Sequence, residues 1–141
     1  MIYKSKPFFK FQFNFDILPG NLQTLNLHKN YITDLSPSTN PLKLVYLELS
    51  GNNIQHLPLE VFANLWDLKL LTLSNNMLTT LEFYPLMPQS LTKLDLRSNL
   101  IKSLKLKPNN LVNFKDLINM KELYLSQNLW ECSCNWKSNV M

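Results

Sequence analysis

The chain has 141 residues, of which 45% are hydrophobic and 17% charged, and its formal net charge is +4. This length supports one domain, and this balance of apolar and charged residues excludes a disordered chain. No run of about 18 or more apolar residues occurs, so no membrane-spanning helix is expected within the sequence. The start, which carries Lys4, Lys6 and Lys10, also lacks the uninterrupted apolar stretch of about 7–15 residues that a secretory signal needs.

Four phenylalanines near the start alternate with polar residues, at Phe9, Phe11, Phe13 and Phe15. A period of two predicts a β-strand. Because the segment is too short for a full repeat of the kind described next, one interpretation is a degenerate first strand that covers the exposed edge at Leu25 and Leu27. The other is a disordered or artefactual start at which an upstream repeat was cut off, and both stay open.

A frame of the form Leu-x-x-Leu-x-Leu-x-x-Asn-x-Leu/Ile then occurs five times, although in the last copy Met and Trp take the first and last positions. Successive copies start 22, 24, 23 and 29 residues apart, at Leu22, Leu44, Leu68, Leu91 and Met120. Leucines at a period of two predict a short strand with one buried face, and stacking the repeats turns these strands into a parallel sheet. The rest of each repeat has to return along the opposite, convex side.

Each copy of the frame holds an asparagine at the same place, namely Asn30, Asn52, Asn76, Asn99 and Asn128. A side-chain amide both donates and accepts, so it can satisfy backbone groups where the strand turns away. An unsatisfied buried group there costs roughly 1–3 kcal/mol. We therefore predict a structural role for these five residues.

Two stretches depart from the regular frame, residues 82–88 and the residues around Lys107 to Asn110. Both lie on the return side of the solenoid. Because Pro85, Pro88 and Pro108 cannot donate a backbone hydrogen bond, these stretches are predicted to be extended or turned loops. We interpret them as tolerated insertions, although loops of this kind are sometimes functional.

Two cysteines follow the last repeat as Cys132-Ser133-Cys134. A disulfide between them would close too tight a ring for ordinary disulfide geometry, so both thiols are expected to pair with cysteines outside this sequence. A zinc site is not predicted, because zinc prefers four ligands and His28 and His56 are distant in the sequence. No cofactor is predicted.

The repeats resemble those of leucine-rich-repeat proteins over residues 22–130. The second repeat is the most diagnostic, because its leucines, Asn52, Ile54, the Leu57-Pro58 pair and Phe62 match the 24-residue form common in extracellular members. The resemblance implies an α/β solenoid, a horseshoe segment with a short parallel β-sheet on its concave face and loops or short helical turns on its convex face. Phe62 would fill the core behind the sheet. Residues 1–21 would then be an N-terminal segment with a strand or cap, and residues 131–141 a truncated cap.

The end of the chain resembles the start of the cysteine-rich cap of extracellular leucine-rich-repeat proteins. Trp130 precedes Cys132 and Cys134 as in that cap, whereas Leu129 stands where the family has proline. The family's cap pairs each of these cysteines with one further downstream. The resemblance therefore implies a fragment of a secreted or membrane-anchored protein. Against this, the chain contains no Asn-x-Ser/Thr glycosylation site.

Among extracellular families the chain is most similar to Toll-like receptor ectodomains, in which irregular repeats lead into such a cap. This resemblance implies innate immune recognition of a protein or microbial ligand, receptor dimerisation and an extracellular or cell-surface location, with any membrane contact made by segments absent from this sequence. Two alternatives stay open, a secreted matrix or adhesion protein and an intracellular scaffold with free thiols.

The expected binding residues are the variable side chains between the frame leucines, which point away from the core. Tyrosine and arginine are enriched in binding hot spots, and we select Tyr46, Glu48, Asp95, Arg97, Glu122 and Tyr124 as candidate ligand contacts. The alternative for any one of them is an ordinary solvated position.

Nucleic-acid binding and catalysis are not favoured. The basic residues near Lys102 have no interleaved aromatic side chains that could stack on bases, and Asp95 lies among them. The chain has two glycines, Gly20 and Gly51, and hence no phosphate-cradling glycine loop, nor does it show a Ser, His and acid set at a recognisable spacing.

Overall fold

A computed structural model describes residues 10–82, 87–105 and 119–131 of the chain. The regular structure of these residues consists of short strands and one turn of 3-10 helix at Phe15–Ile17. Each strand has three residues, and the strands are β1 (Gln12–Asn14), β2 (Thr24–Asn26), β3 (Asp34–Ser36), β4 (Tyr46–Glu48), β5 (Leu70–Thr72), β6 (Thr80–Glu82), β7 (Lys93–Asp95), β8 (Ser103–Lys105) and β9 (Glu122–Tyr124).

The main sheet contains five parallel strands in the order β2-β4-β5-β7-β9, one from each repeat. The middle leucines of the strands are in register, so Leu47 pairs with Leu71 and Leu71 with Leu94. The register is kept from β7 to β9, where Leu94 pairs with Leu123 across the longest repeat. The extra residues of that repeat are therefore accommodated on the return side, and the predicted solenoid is confirmed.

The core lies behind this sheet and consists of the frame leucines and isoleucines together with Phe62. Leu47, Leu71 and Leu94 are at most 1% exposed, and Phe62 is fully buried, as the repeat pattern predicts. Their burial follows from the strand geometry, because alternate side chains of a strand point to the same face. Burying one such side chain contributes roughly 1.5–3 kcal/mol.

The frame asparagines link each repeat to the one before it. In the third repeat the Asn76 amide donates to the carbonyls of Leu49 and Leu73, both at 3.0 Å, and its oxygen accepts from the Ile54 amide at 3.1 Å. Asn52, Asn99 and Asn128 repeat this arrangement in their own repeats. Asn30 differs, because it is exposed and its amide donates to the carbonyl of His28 in its own repeat.

The residue before each of these asparagines has a left-handed backbone. Lys29, Gly51, Asn75, Ser98 and Gln127 all have φ between +52° and +69°. The left-handed turn ends the strand and precedes the asparagine that bonds to both repeats. Side chains other than glycine, and to a lesser degree asparagine, make this conformation costly.

Two small parallel sheets lie outside the main sheet, one formed by β1 and β3 and the other by β6 and β8. The strand predicted among the N-terminal phenylalanines exists, but its predicted position is wrong. Phe13 pairs with Leu35, and the half-buried Leu25 and Leu27 pack against the core without a partner from β1. The reason is the spacing, because β1 precedes β3 by 22 residues, as Gln12 pairs with Asp34, and this is one repeat step. The segment thus corresponds to the second half of a repeat.

Several sequence predictions fall outside the described residues. They concern Phe9, the loops at Pro85 and Pro108, and the cap cysteines Cys132 and Cys134. At the described end of the chain, Trp130 is 37% exposed, and its indole nitrogen donates to the carbonyl of Leu125 at 2.9 Å.

We predict that Asn76→Ala lowers the free energy of unfolding by at least about 2 kcal/mol, because three backbone groups lose a partner and each orphaned buried group costs roughly 1–3 kcal/mol. Urea denaturation of the two proteins measures the difference. Asn30→Ala is the matched control, since it removes the same side chain from an exposed position. Equal losses for the two variants would contradict a structural role for the inter-repeat bonds.

We also predict that Gly51→Ala destabilises the fold by roughly 1–2 kcal/mol, because φ at this position is +69° and a Cβ would lie 2.9 Å from the Lys29 side chain. Gly20→Ala is the control, because a Cβ there meets nothing within 4 Å. Thermal melting of both variants tests the difference, and a Gly51→Ala protein as stable as the Gly20→Ala protein would be inconsistent with the turn being required.

Candidate functional site

The side chains of the main sheet that point away from the core form what we call the concave face. Strand register arranges them in rows that run across the repeats. One row is Tyr46, Leu70, Lys93 and Glu122, and the next is Glu48, Thr72, Asp95 and Tyr124. The rows place charged and aromatic groups at both sides of β5, which itself contributes Leu70 and Thr72.

Asp95 and Arg97 form a closely bonded pair on β7 and the turn after it. Arg97 donates to the Asp95 carboxylate from Nε at 3.0 and 3.2 Å, from Nη2 at 2.6 Å and from its backbone amide at 3.0 Å. Burial alone would raise the pKa of the Asp95 carboxyl, but the hydrogen bonds and charge of Arg97 hold that pKa below its ordinary value. The side chain of Asp95 is 10% exposed and that of Arg97 49%, so the guanidinium is the group that a partner meets.

Tyr124 lies between the cations of Lys93 and Arg97. Lys93 Nζ is 5.2 Å and Arg97 Cζ 5.0 Å from the centre of the Tyr124 ring, distances at which a cation is attracted to an aromatic face. The Tyr124 hydroxyl donates to Glu122 at 2.6 Å, and Lys93 forms a 2.9 Å ion pair with the same carboxylate.

These contacts shift the titration of the charged groups. The hydrogen bond from Tyr124, followed by that from Lys93, lowers the pKa of Glu122, and the hydrogen bond to Glu122 raises the pKa of Lys93. With Asp95 and Arg97 the group contains two cations and two carboxylates in direct contact. The β7–β9 part of the concave face is therefore balanced in charge.

A second group of polar side chains lies on β2 and β4. Glu48 accepts hydrogen bonds from the Tyr46 hydroxyl at 3.0 Å and from the Ser50 amide at 2.7 Å. Burial, and then the hydrogen bond to Glu48, raises the pKa of the Tyr46 phenol, so Tyr46 stays a hydrogen-bond donor. His28 Nδ1 lies 2.7 Å from Ser50 Oγ and 3.1 Å from the Ser50 carbonyl, which orients the imidazole along the same edge.

The six candidate contacts chosen from sequence thus fall into two groups. Tyr46 and Glu48 lie on one side of β5 and the other four on the far side, two strand spacings or about 10 Å away. Asp95 is nearly buried and acts by holding Arg97. Lys93 was not among the candidates, although the opposite charges of Lys93 and Glu122 at equivalent frame positions are a sequence signal for that pair.

The described residues contain no group of three or more His, Cys, Asp or Glu side chains that could hold a metal ion. A search of the same residues for a helix long and apolar enough to cross a membrane finds none.

Comparison with known proteins agrees with the repeat frame. Residues 42–101 match the family described as Leucine rich repeat, and residues 21–40 match a second pattern with the same description. This is a leucine-rich-repeat protein. It is 30% identical to Nephrocan of Mus musculus over 156 aligned residues, which cover 82% of this chain and 30% of Nephrocan. The chain thus spans less than a third of the length of that relative.

Leucine-rich-repeat modules generally mediate protein–protein recognition, and they do so on the extended concave surface that the curved solenoid creates. The fold is typically a recognition module and not an enzyme.

We predict that Asp95→Asn destabilises the leucine-rich-repeat fold by about 1 kcal/mol at pH 7, the usual size for hydrogen bonds to a partly screened charged group. Because the pKa of Asp95 is lowered on folding, its stabilising contribution is complete above the unfolded value of about 4 and is lost as pH falls below it. Wild type and variant should therefore converge in acid.

Denaturant titrations at several pH values test this prediction. Asp67→Asn is the control, since Asp67 is exposed and makes no ion pair within the described part of the chain. A gap between wild type and Asp95→Asn that stays constant from neutral pH into acid would contradict the assignment.

Proposed function

We propose that the chain is a recognition module that binds a protein partner on its concave face, with Tyr124 at the centre of the contact. The observation that carries this proposal is the position of Tyr124, whose ring lies between two cations and whose hydroxyl bonds to Glu122. Its contacts fix the ring in place before a partner arrives, so little side-chain entropy is lost on binding. Tyrosine and arginine are also the residues that most often dominate binding energy.

We propose further that the module belongs to an extracellular or cell-surface protein. The support is the Cys132-Ser133-Cys134 motif after the last repeat, which resembles the cap of extracellular leucine-rich-repeat proteins. Within that class a Toll-like receptor ectodomain, with an innate immune ligand and receptor dimerisation, rests on the same motif and on the irregular repeat lengths. The secreted matrix or adhesion protein and the intracellular scaffold remain its competitors.

The transcript beyond Met141 separates these classes. A Toll-like receptor requires two further cap cysteines, a membrane span and a signalling domain downstream, and we expect that continuation. The two cap cysteines followed by a stop or by further matrix modules would favour the secreted protein, and a continuation without the cysteines would contradict the extracellular assignment.

We predict that Tyr124→Ala weakens binding of concave-face ligands at least about tenfold, equivalent to roughly 1.4 kcal/mol. The probe is a displayed library of short random peptides, selected on the full chain and then measured individually by titration. Tyr31→Ala is the matched control, because it removes the same side chain from a position that is 78% exposed and outside the main sheet. Peptides equally sensitive to both variants, or to neither, would overturn the concave-face proposal.

A further inference from the structure

The three carboxylates on the main sheet differ in their partners. Asp95 lies 2.6 Å from the Arg97 guanidinium and Glu122 lies 2.9 Å from Lys93. Glu48 accepts two hydrogen bonds, from Tyr46 and Ser50, and both donors are uncharged. Among the described residues Glu48 forms no ion pair. Its negative charge is therefore the one on this sheet that the described part of the chain does not neutralise.

The two hydrogen bonds also fix the direction of the Glu48 carboxylate. Oε1 accepts from the Ser50 amide and Oε2 from the Tyr46 hydroxyl, so each oxygen has one partner. Because an ionised carboxylate has about four acceptor sites, both oxygens keep capacity for a further donor. A group held in this way can accept two parallel hydrogen bonds without first losing its own rotational freedom.

An apolar surface lies beside this carboxylate. Strand register places Leu70 directly next to Tyr46 and Thr72 next to Glu48, and all four side chains are partly exposed. The aliphatic stem of a long cationic side chain can lie on Leu70 and on the ring of Tyr46 while its charged head reaches Glu48. Lysine and arginine both have such stems, but the planar guanidinium matches a carboxylate with two donors at once.

We propose that the protein partner inserts an arginine side chain at Glu48, with its stem over Tyr46 and Leu70. This inference rests on the proposed function, and it names the chemistry of the partner at one point of the concave face. The net charge of +4 means that a basic partner gains nothing from long-range attraction to the chain as a whole. Recognition of the arginine therefore depends on local contact with Glu48.

The test uses the same displayed library of short random peptides on the full chain. We expect peptides whose binding depends on Tyr124 to be enriched in arginine on the wild-type chain and to lose that enrichment on Glu48→Gln. The matched control is Glu60→Gln, which removes the same charge from an exposed residue of the return segment and should leave the enrichment unchanged.

A second measurement separates a direct contact from a general charge effect. One selected peptide is made with its arginine replaced by citrulline, which has nearly the same shape and no charge. We expect this change to weaken binding to the wild-type chain about tenfold and binding to Glu48→Gln less than about twofold. An equal loss on both proteins would overturn the arginine contact.

The two proposals fail differently. Peptides that require Tyr124 but show no preference for arginine would refute the arginine contact and leave the recognition surface intact. Peptides that bind without regard to Tyr124 would remove the recognition surface, and the arginine contact with it.

Discussion

The asparagine of each repeat is the constraint on which the rest of the fold depends. Strands of three residues supply few ladder hydrogen bonds, and the chain leaves the sheet after each strand with backbone groups that have no regular partner. Asn76 satisfies groups in its own repeat through Leu73 and groups in the preceding repeat through Leu49 and Ile54. The cohesion between repeats is therefore specified by one side chain at a fixed position, and no long element is needed.

This arrangement gives the stack a direction. Asn52 donates to Leu27 in the repeat before it and accepts from Asn30 and Ile32 of that repeat, so each repeat is completed by the one that follows. Asn30 opens the ladder and is exposed, since its amide bonds within its own repeat. The left-handed residue before each asparagine completes the same device, and the chain uses glycine for it at Gly51 but lysine, asparagine, serine and glutamine elsewhere.

The sequence was sufficient to predict the main sheet because its signal is repeated and local. Leucines at a period of two and an asparagine at a fixed distance define strand, buried face and turn within eleven residues, and five copies define the stacking. The position of β1 could not be obtained in this way. The alternating phenylalanines give the period of the strand, whereas its neighbour depends on phase relative to the frame, and Phe13 pairs with Leu35.

The candidate site was predicted less completely for a related reason. The frame identifies which side chains leave the core, but how they pair depends on register between repeats of unequal length. Lys93 and Glu122 are 29 residues apart and still lie side by side, since Lys93 pairs with Glu122 across β7 and β9. Burial of Asp95 follows from the rotamer of Arg97, which covers it, and no spacing rule contains that information.

The two halves of the concave face therefore offer a partner different chemistry on one rigid sheet. Between β7 and β9 every formal charge is already paired, and removing Arg97 from Asp95 would leave a nearly buried carboxylate without its counter-ion. A partner gains there by packing on Tyr124 without breaking those pairs. At β4 the opposite holds, because Glu48 is oriented by neutral donors and its charge has no counter-ion among the described residues. Shape would then determine binding on one side of β5 and charge on the other, and a partner that matches only one side would bind weakly.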